Sequence, residues 1–147
     1  MLIGKLNIND INYILENISF SSLTELAIFN KSIESARIKF MHYIGKEFTG
    51  VFYDNNKNPQ AMILLELNGE DKWLVNLITV SGAWSKIGII LTKFLMQMSS
   101  DMVERSGGTI EAYSPFSLHK YFNWFEFMGF VCKEKSNNIY HYVKQVR

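Results

Sequence analysis

The segment from Trp73 to Thr109 constrains this chain most. Trp73-Leu-Val-Asn-Leu-Ile-Thr-Val80 is an apolar run of strand length, and Ser81-Gly-Ala-Trp-Ser-Lys-Ile-Gly88 breaks it. From Ser85 the period becomes helical: Ile87, Leu91, Phe94, Met98 and Met102 share one face, and Lys86, Lys93, Gln97 and Asp101 point away. Gly107-Gly108 stops that helix, and Thr109 to Tyr113 reads as the next strand. A strand, a long helix and a strand in this order give parallel neighbours joined by a right-handed crossover. The first strand is apolar on both faces, as a central strand covered by helices must be. Where such a strand runs into a helix through a glycine-containing loop, orphan backbone N–H groups point outward and suit a phosphate.

The flanking sequence supplies the rest of a mixed sheet. Leu2 to Ile8 alternates as an edge strand, and Asn9-Asp10 can cap a helix carrying Ile11, Ile14, Leu15 and Ile18. Ser21 to Phe29 is ambiguous, with Ser22 able to cap a short helix. Asn30 or Ser32 opens a helix with Ile33, Arg37, Phe40, Met41 and Ile44 at helical spacing, and Gly45 can end it. Phe48 to Tyr53, Ala61 to Leu67 and Lys72 to Val80 form an antiparallel meander around turns at 54–59 and 68–71. Ser114-Pro115 is expected to start a helix burying Leu118, Tyr121, Phe122, Phe125 and Met128. Phe130 to Lys133 and Ile139 to Val146 close the sheet. The order β-α-α-β-β-β-α-β-α-β-β belongs to the α/β class.

Composition removes several function classes. The 147 residues suit a single domain, 1–147, and the 48% apolar fraction suffices for its core. A net charge of +1 creates no field for nucleic acid or a membrane surface. Apolar runs fall short of the roughly 20 residues that span a bilayer. The N-terminus lacks the pattern of a secretory signal, so a cytoplasmic location is expected. Cys132 is expected to be a small buried hydrophobe, and His42, His119, His141 and Cys132 lack metal-ligand spacing. No Walker loop or nucleophile elbow is present.

The element order, the loop after the meander and the ending Phe125-Glu-Phe-Met-Gly129-Phe130 together resemble the GNAT superfamily of acetyl-CoA-dependent N-acetyltransferases. The resemblance covers essentially the full chain, and short phage-encoded GNAT-like proteins are similar in size. It implies a GNAT-like fold: a mixed central sheet with a β-meander, a crossover helix and splayed parallel strands. It also implies acetyl-CoA as co-substrate and an amine acceptor, either a small molecule or a protein. The cofactor pyrophosphate would lie on Ala83, Trp84, Ser85, Lys86, Ile87 and Gly88, with Thr79 and Val80 facing the acetyl group and pantetheine arm. Gly88 matches the first glycine of the family's loop, Ser85 replaces its Arg or Gln, and Ile90 replaces its last small residue.

The catalytic positions depart from the family. Phe125 stands where a tyrosine usually protonates the leaving thiolate, and Tyr121 lies one turn earlier on the same helix face. Lys72 to Val80 holds no glutamate to act as base, so Glu66 is the leading carboxylate, followed by Glu111. Asn76 can hold a water, and His119 is the histidine nearest the expected cleft. Backbone N–H groups of Thr79 to Ser81 are the expected polarisers of the thioester carbonyl. Each side chain also has an ordinary structural role available to it. The second reading is therefore a GNAT-fold protein that has lost catalysis and binds a protein partner, a second copy of itself or a virion assembly.

Overall fold

The computed structural model describes residues 3–67, 72–105, 108–115, 124–136 and 139–145. The elements are β1 (Ile3–Gly4), α1 (Ile8–Glu16), α2 (Phe20–Ile28), α3 (Ile33–His42), β2 (Thr49–Tyr53), β3 (Pro59–Leu67), β4 (Lys72–Thr79), α4 (Ala83–Arg105), β5 (Thr109–Pro115), β6 (Val131–Ser136) and β7 (Ile139–Gln145). The strands hydrogen-bond in the order β1-β2-β3-β4-β5-β7-β6. β4 and β5 are parallel, as the crossover demands, and pair only from Lys72 with Thr109 to Leu74 with Glu111. The expected GNAT-like mixed sheet with splayed parallel strands is therefore present. The chain divides into two compact units, Met1–Leu64 with Asn76–Leu91, and Leu65–Val75 with Thr92–Arg147.

In the first unit, the helices form where caps and apolar spacing agree. Asn7 caps α1 by accepting from the Asp10 N–H at 2.9 Å, and Ile11, Ile14 and Leu15 are buried. Ser32 and Ser35 make a reciprocal capping box at the start of α3, whose Ala36 and Phe40 are buried. The ambiguous stretch is helix α2, and its cap is Ser19 rather than Ser22. The reason is chemical: the Ser22 hydroxyl is engaged elsewhere, accepting from the Thr79 N–H at 3.0 Å. Val51, Phe52 and the run Ala61–Leu64 complete this core.

In the second unit, β5 runs two residues further than its sequence suggests. Ser114 and Pro115 continue the strand, pairing with Tyr140 and Ile139 of β7, and do not open a helix. Proline is tolerated at a strand end, and the seven-residue ladder with β7 outweighs its helix-starting preference. A helical turn at Trp124–Phe127 precedes Gly129, whose φ of +92° needs glycine. Phe125 is buried there, stacked on Tyr142 at 5.0 Å and edge-on to Phe130 at 5.3 Å.

Among the described residues of α4 the buried ones are Ala83, Ile87, Leu91, Leu95 and Met98, so Leu95 takes the fully buried place expected for Phe94. Phe94 is half-buried beside it. Among the described residues no helix is long and apolar enough to cross a membrane.

Candidate active site

The junction of β4 and α4 differs from the expected loop in one respect. The helix begins at Ala83, so the loop proper is Ser81-Gly82, and Ser85 to Gly88 lie in the first turns of α4. The glycine that the backbone requires is Gly82, at φ +76° with nothing within 4 Å of an added Cβ. Gly88 has ordinary helical geometry, and a Cβ there would meet Trp84 at 3.7 Å, a normal contact. Gly82 precedes the helix and has no side chain to act as a cap, and the Ala83 N–H donates to the Val80 carbonyl at 3.2 Å. The positive end of a 23-residue helix dipole coincides with that loop.

The expected cofactor residues divide into two groups. Ala83 and Ile87 are core, 1% and 2% exposed, and Thr79 and Val80 are buried. Ser85 and Lys86 are exposed, and Trp84 and Gly88 are half-buried. Ser85 Oγ donates to the Gly82 carbonyl at 2.9 Å, which fixes the turn. Lys86 is the one cation among them, and its Nζ lies 3.9 Å from Asp54 Oδ2. Asp54 also accepts from the N–H groups of Asn56 at 2.9 Å and Asn58 at 3.0 Å. Those backbone donors, with a smaller contribution from Lys86, hold its carboxyl below the usual aspartate range.

The end of β4 is clamped by hydroxyls. Thr79 Oγ1 lies 2.8 Å from Ser19 Oγ and 3.3 Å from Ser22 Oγ, and all three residues are buried. The Ser19 N–H donates to the Thr79 carbonyl at 2.8 Å, and Ile18 bridges Val80 in antiparallel sense. The N–H groups expected to polarise a thioester are all committed. Thr79 donates to Ser22 Oγ, Val80 to the Gln60 carbonyl at 2.9 Å, and Ser81 to the Asn17 carbonyl at 3.4 Å. That expectation is corrected, because it ignored the chain segment Asn17–Ser19, which is remote in sequence and lies along this edge.

The remaining candidates sit in different settings. Glu66 is half-buried on β3. Glu111 is 8% exposed, and its Oε1 lies 3.2 Å from His141 Nε2. Tyr113 stacks on His141 at 4.4 Å, and burial followed by the nearby Glu111 and Glu134 charges raises its hydroxyl's pKa. Tyr121 and His119 lie outside the described residues. Cys132 is half-buried rather than fully buried. Among the described residues no group of His, Cys, Asp and Glu side chains is arranged to hold a metal ion. Sequence reasoning missed Gly82, Ser19, Ser22 and His141. The Ser-Gly pair before the helix was a signal for the first; the others are brought in by long-range packing.

No protein-family model and no curated protein sequence matches this chain. Solved structures do. A spermidine N-acetyltransferase SpeG chimera from Vibrio cholerae and hSSAT superposes with a TM-score of 0.68 at 14% identity, covering 98% of this chain and 94% of that one. A GNAT-family acetyltransferase from Bacillus anthracis gives 0.68 at 13% identity, covering 98% and 93%. Spermidine N-acetyltransferase from Vibrio cholerae, in complex with CoA and spermine, gives 0.68 at 12% identity, covering 97% and 94%. Likeness over nearly the whole length of each chain, together with the parallel β4–β5 pair and the crossover helix, establishes that this chain has the GNAT fold.

Proposed function

We propose that this protein is a cytoplasmic acetyl-CoA-dependent N-acetyltransferase whose whole chain forms one GNAT domain. The observation that carries the reading is the Ser81-Gly82 turn delivering the end of β4 into the N-terminus of the 23-residue helix α4. An anion at that position meets helix N–H groups and the positive dipole end, with Lys86 on the exposed first turn. A CoA-bound structural neighbour supports the cofactor's identity. Acetyl transfer then needs little beyond positioning: the amine nitrogen attacks the thioester carbonyl and the thiolate leaves. Tyr121 or water returns a proton to sulfur, and a carboxylate, for which Glu66 is the leading sequence candidate, receives the ammonium proton.

Calorimetric titration with acetyl-CoA tests this reading. Saturable binding is expected, and Gly88→Glu should weaken it at least tenfold by placing a carboxylate beside the pyrophosphate. The substitution has room, since the added Cβ makes only an ordinary contact with Trp84. Unchanged affinity in a folded Gly88→Glu protein would place the cofactor elsewhere.

A second reading is a GNAT-fold module that binds a protein partner, such as a virion component, without catalysis. Two observations favour it: the committed N–H groups of Thr79, Val80 and Ser81, and the burial of Phe125 at the family's acid position. Absence of acetyl-CoA binding would select it.

A further inference from the structure

Helix α2 is amphipathic in the reverse sense. Ser21 and Ser22 are its buried residues, and Glu25, its one charged residue, is half-buried. Successive residues turn by about 100°, so Glu25 falls between Ser21 and Ser22 in projection. Phe20, Leu23 and Ala27 share an arc of about 60° on the opposite side. All three are exposed, Phe20 to 80% and Leu23 to 44%. A helix on a protein surface ordinarily turns its polar residues outward. Here they serve the inside: Ser22 Oγ accepts from the Thr79 N–H at 3.0 Å, and burial raises the Glu25 pKa to about 8. The outward strip carries no charge, and Thr24 beside it turns its hydroxyl onto the Phe20 carbonyl at 2.8 Å. An uncharged apolar strip of this kind marks an interaction surface.

The strip is complementary to itself. Phe20 and Ala27 lie two turns apart, with Leu23 between them. Across a two-fold axis near Leu23, two antiparallel copies of α2 bring each Phe20 ring over the other's Ala27, where only a methyl group stands. The two Leu23 side chains then meet at the axis. Charge favours the same direction. α2 has no acidic residue in its first turn and no basic residue in its last, so no side chain of its own offsets the helix dipole. Antiparallel pairing sets the positive end of one copy beside the negative end of the other. Nine residues span about 14 Å, too little for the roughly 1,200–2,000 Å² of a stable interface, so the association is weak and reversible.

We propose that the outward face of α2 is a self-association surface, covered by α2 of a second copy of this chain in antiparallel register. The pairing goes beyond the acetyltransferase reading and stands whether or not acetyl-CoA binds.

Sedimentation of the full chain from micromolar to millimolar concentration should show monomer passing reversibly into dimer. Phe20→Glu should weaken dimerisation at least tenfold by setting a carboxylate against an apolar face. The position is exposed, so the folded spectrum and melting temperature of the monomer should not change. Leu23→Glu should act likewise, because it opposes two carboxylates at the axis. Ala27→Phe alone should also weaken the dimer, since two rings then compete for one space. Combining Phe20→Ala with Ala27→Phe should recover dimerisation, because large again faces small. A monomer at every concentration overturns the proposal, as does a dimer indifferent to Phe20→Glu and Leu23→Glu. A chain that stays monomeric but binds a different protein through this strip overturns it too. Failure of the size exchange to recover a dimer that both single substitutions weaken overturns the antiparallel register.

Discussion

Around Thr79 the first unit buries hydroxyl groups; around Phe125 the second buries aromatic rings. The Thr79 region is held by directional bonds among Ser19, Ser22 and Thr79, each short enough to fix an atom's position. The Phe125 region is held by ring packing against Phe130 and Tyr142, which fills volume and presents no titratable group at that position. The resemblance read from the sequence assigned a role to each place: the cofactor's acyl arm to the end of β4, and the family's thiolate acid to position 125. The difference teaches that directional hydroxyl bonds fix atoms at the strand end, whereas position 125 is given over to core packing. That contrast can be broken or sharpened by substitution.

The largest effect is expected from Phe125→Ala. Removing a buried phenyl ring from a close-packed cluster costs about 3–5 kcal/mol. Urea unfolding should show the midpoint falling by a corresponding amount, and a loss below about 1 kcal/mol would mean the cluster collapses onto the vacancy.

Next comes the pH dependence set by Glu25. Its folded pKa, about 8, lies above the ordinary glutamate value of 4.5, so the folded state binds the proton more tightly between those values. Stability therefore declines as pH rises through that window. Glu25→Gln should flatten the decline and leave the variant more stable than wild type near pH 8. Parallel stability–pH curves for the two proteins would remove Glu25 as a desolvated carboxyl.

Thr79→Val tests the hydroxyl clamp. The shape is kept while Ser19 and Ser22 each lose a hydrogen-bond partner, at a cost of about 1–3 kcal/mol. Denaturation monitors the loss, and amide exchange at Ser19 should quicken if the clamp holds that edge. A neutral result would show that water replaces the threonine hydroxyl.

The smallest effect belongs to the surface pair Lys86–Asp54. The Asp54 carboxyl is held below the ordinary aspartate value of 3.8, so its contribution is present above that pH and is lost as pH falls through the folded value. Asp54→Asn should lessen the acid-side fall in melting temperature. It should also free Lys86, so acetyl-CoA affinity should be retained or improved. A fall in affinity would indicate that Asp54 positions Lys86 for the phosphate.

Much of this architecture was already written in the local sequence. The apolar run Trp73–Val80, the helical stripe after it and the turn residues between the meander strands specify their elements because period and punctuation agree. The parallel β4–β5 pair follows from the length of the crossover alone. Where the reading failed, a competing long-range interaction decided. Ser22 has the chemistry of a helix cap, but the Thr79 N–H claims its hydroxyl and Ser19 caps instead. Ser114-Pro115 has the chemistry of a helix start, but β7 lies alongside and extends the strand.

The candidate site shows the same division. The helix N-terminus was legible, because strand, loop and helix adjoin in sequence, but the glycine role was read onto Gly88, whereas the backbone needs glycine at Gly82, φ +76°. Three properties were set by tertiary structure: the engagement of the Thr79, Val80 and Ser81 N–H groups, the pairing of Glu111 with His141, and the raised pKa of Glu25. Each depends on which remote groups exclude water or supply a partner. Local periodicity specifies which face of an element is apolar; the hydrogen-bond partners and solvation of a polar atom are fixed only when the elements pack.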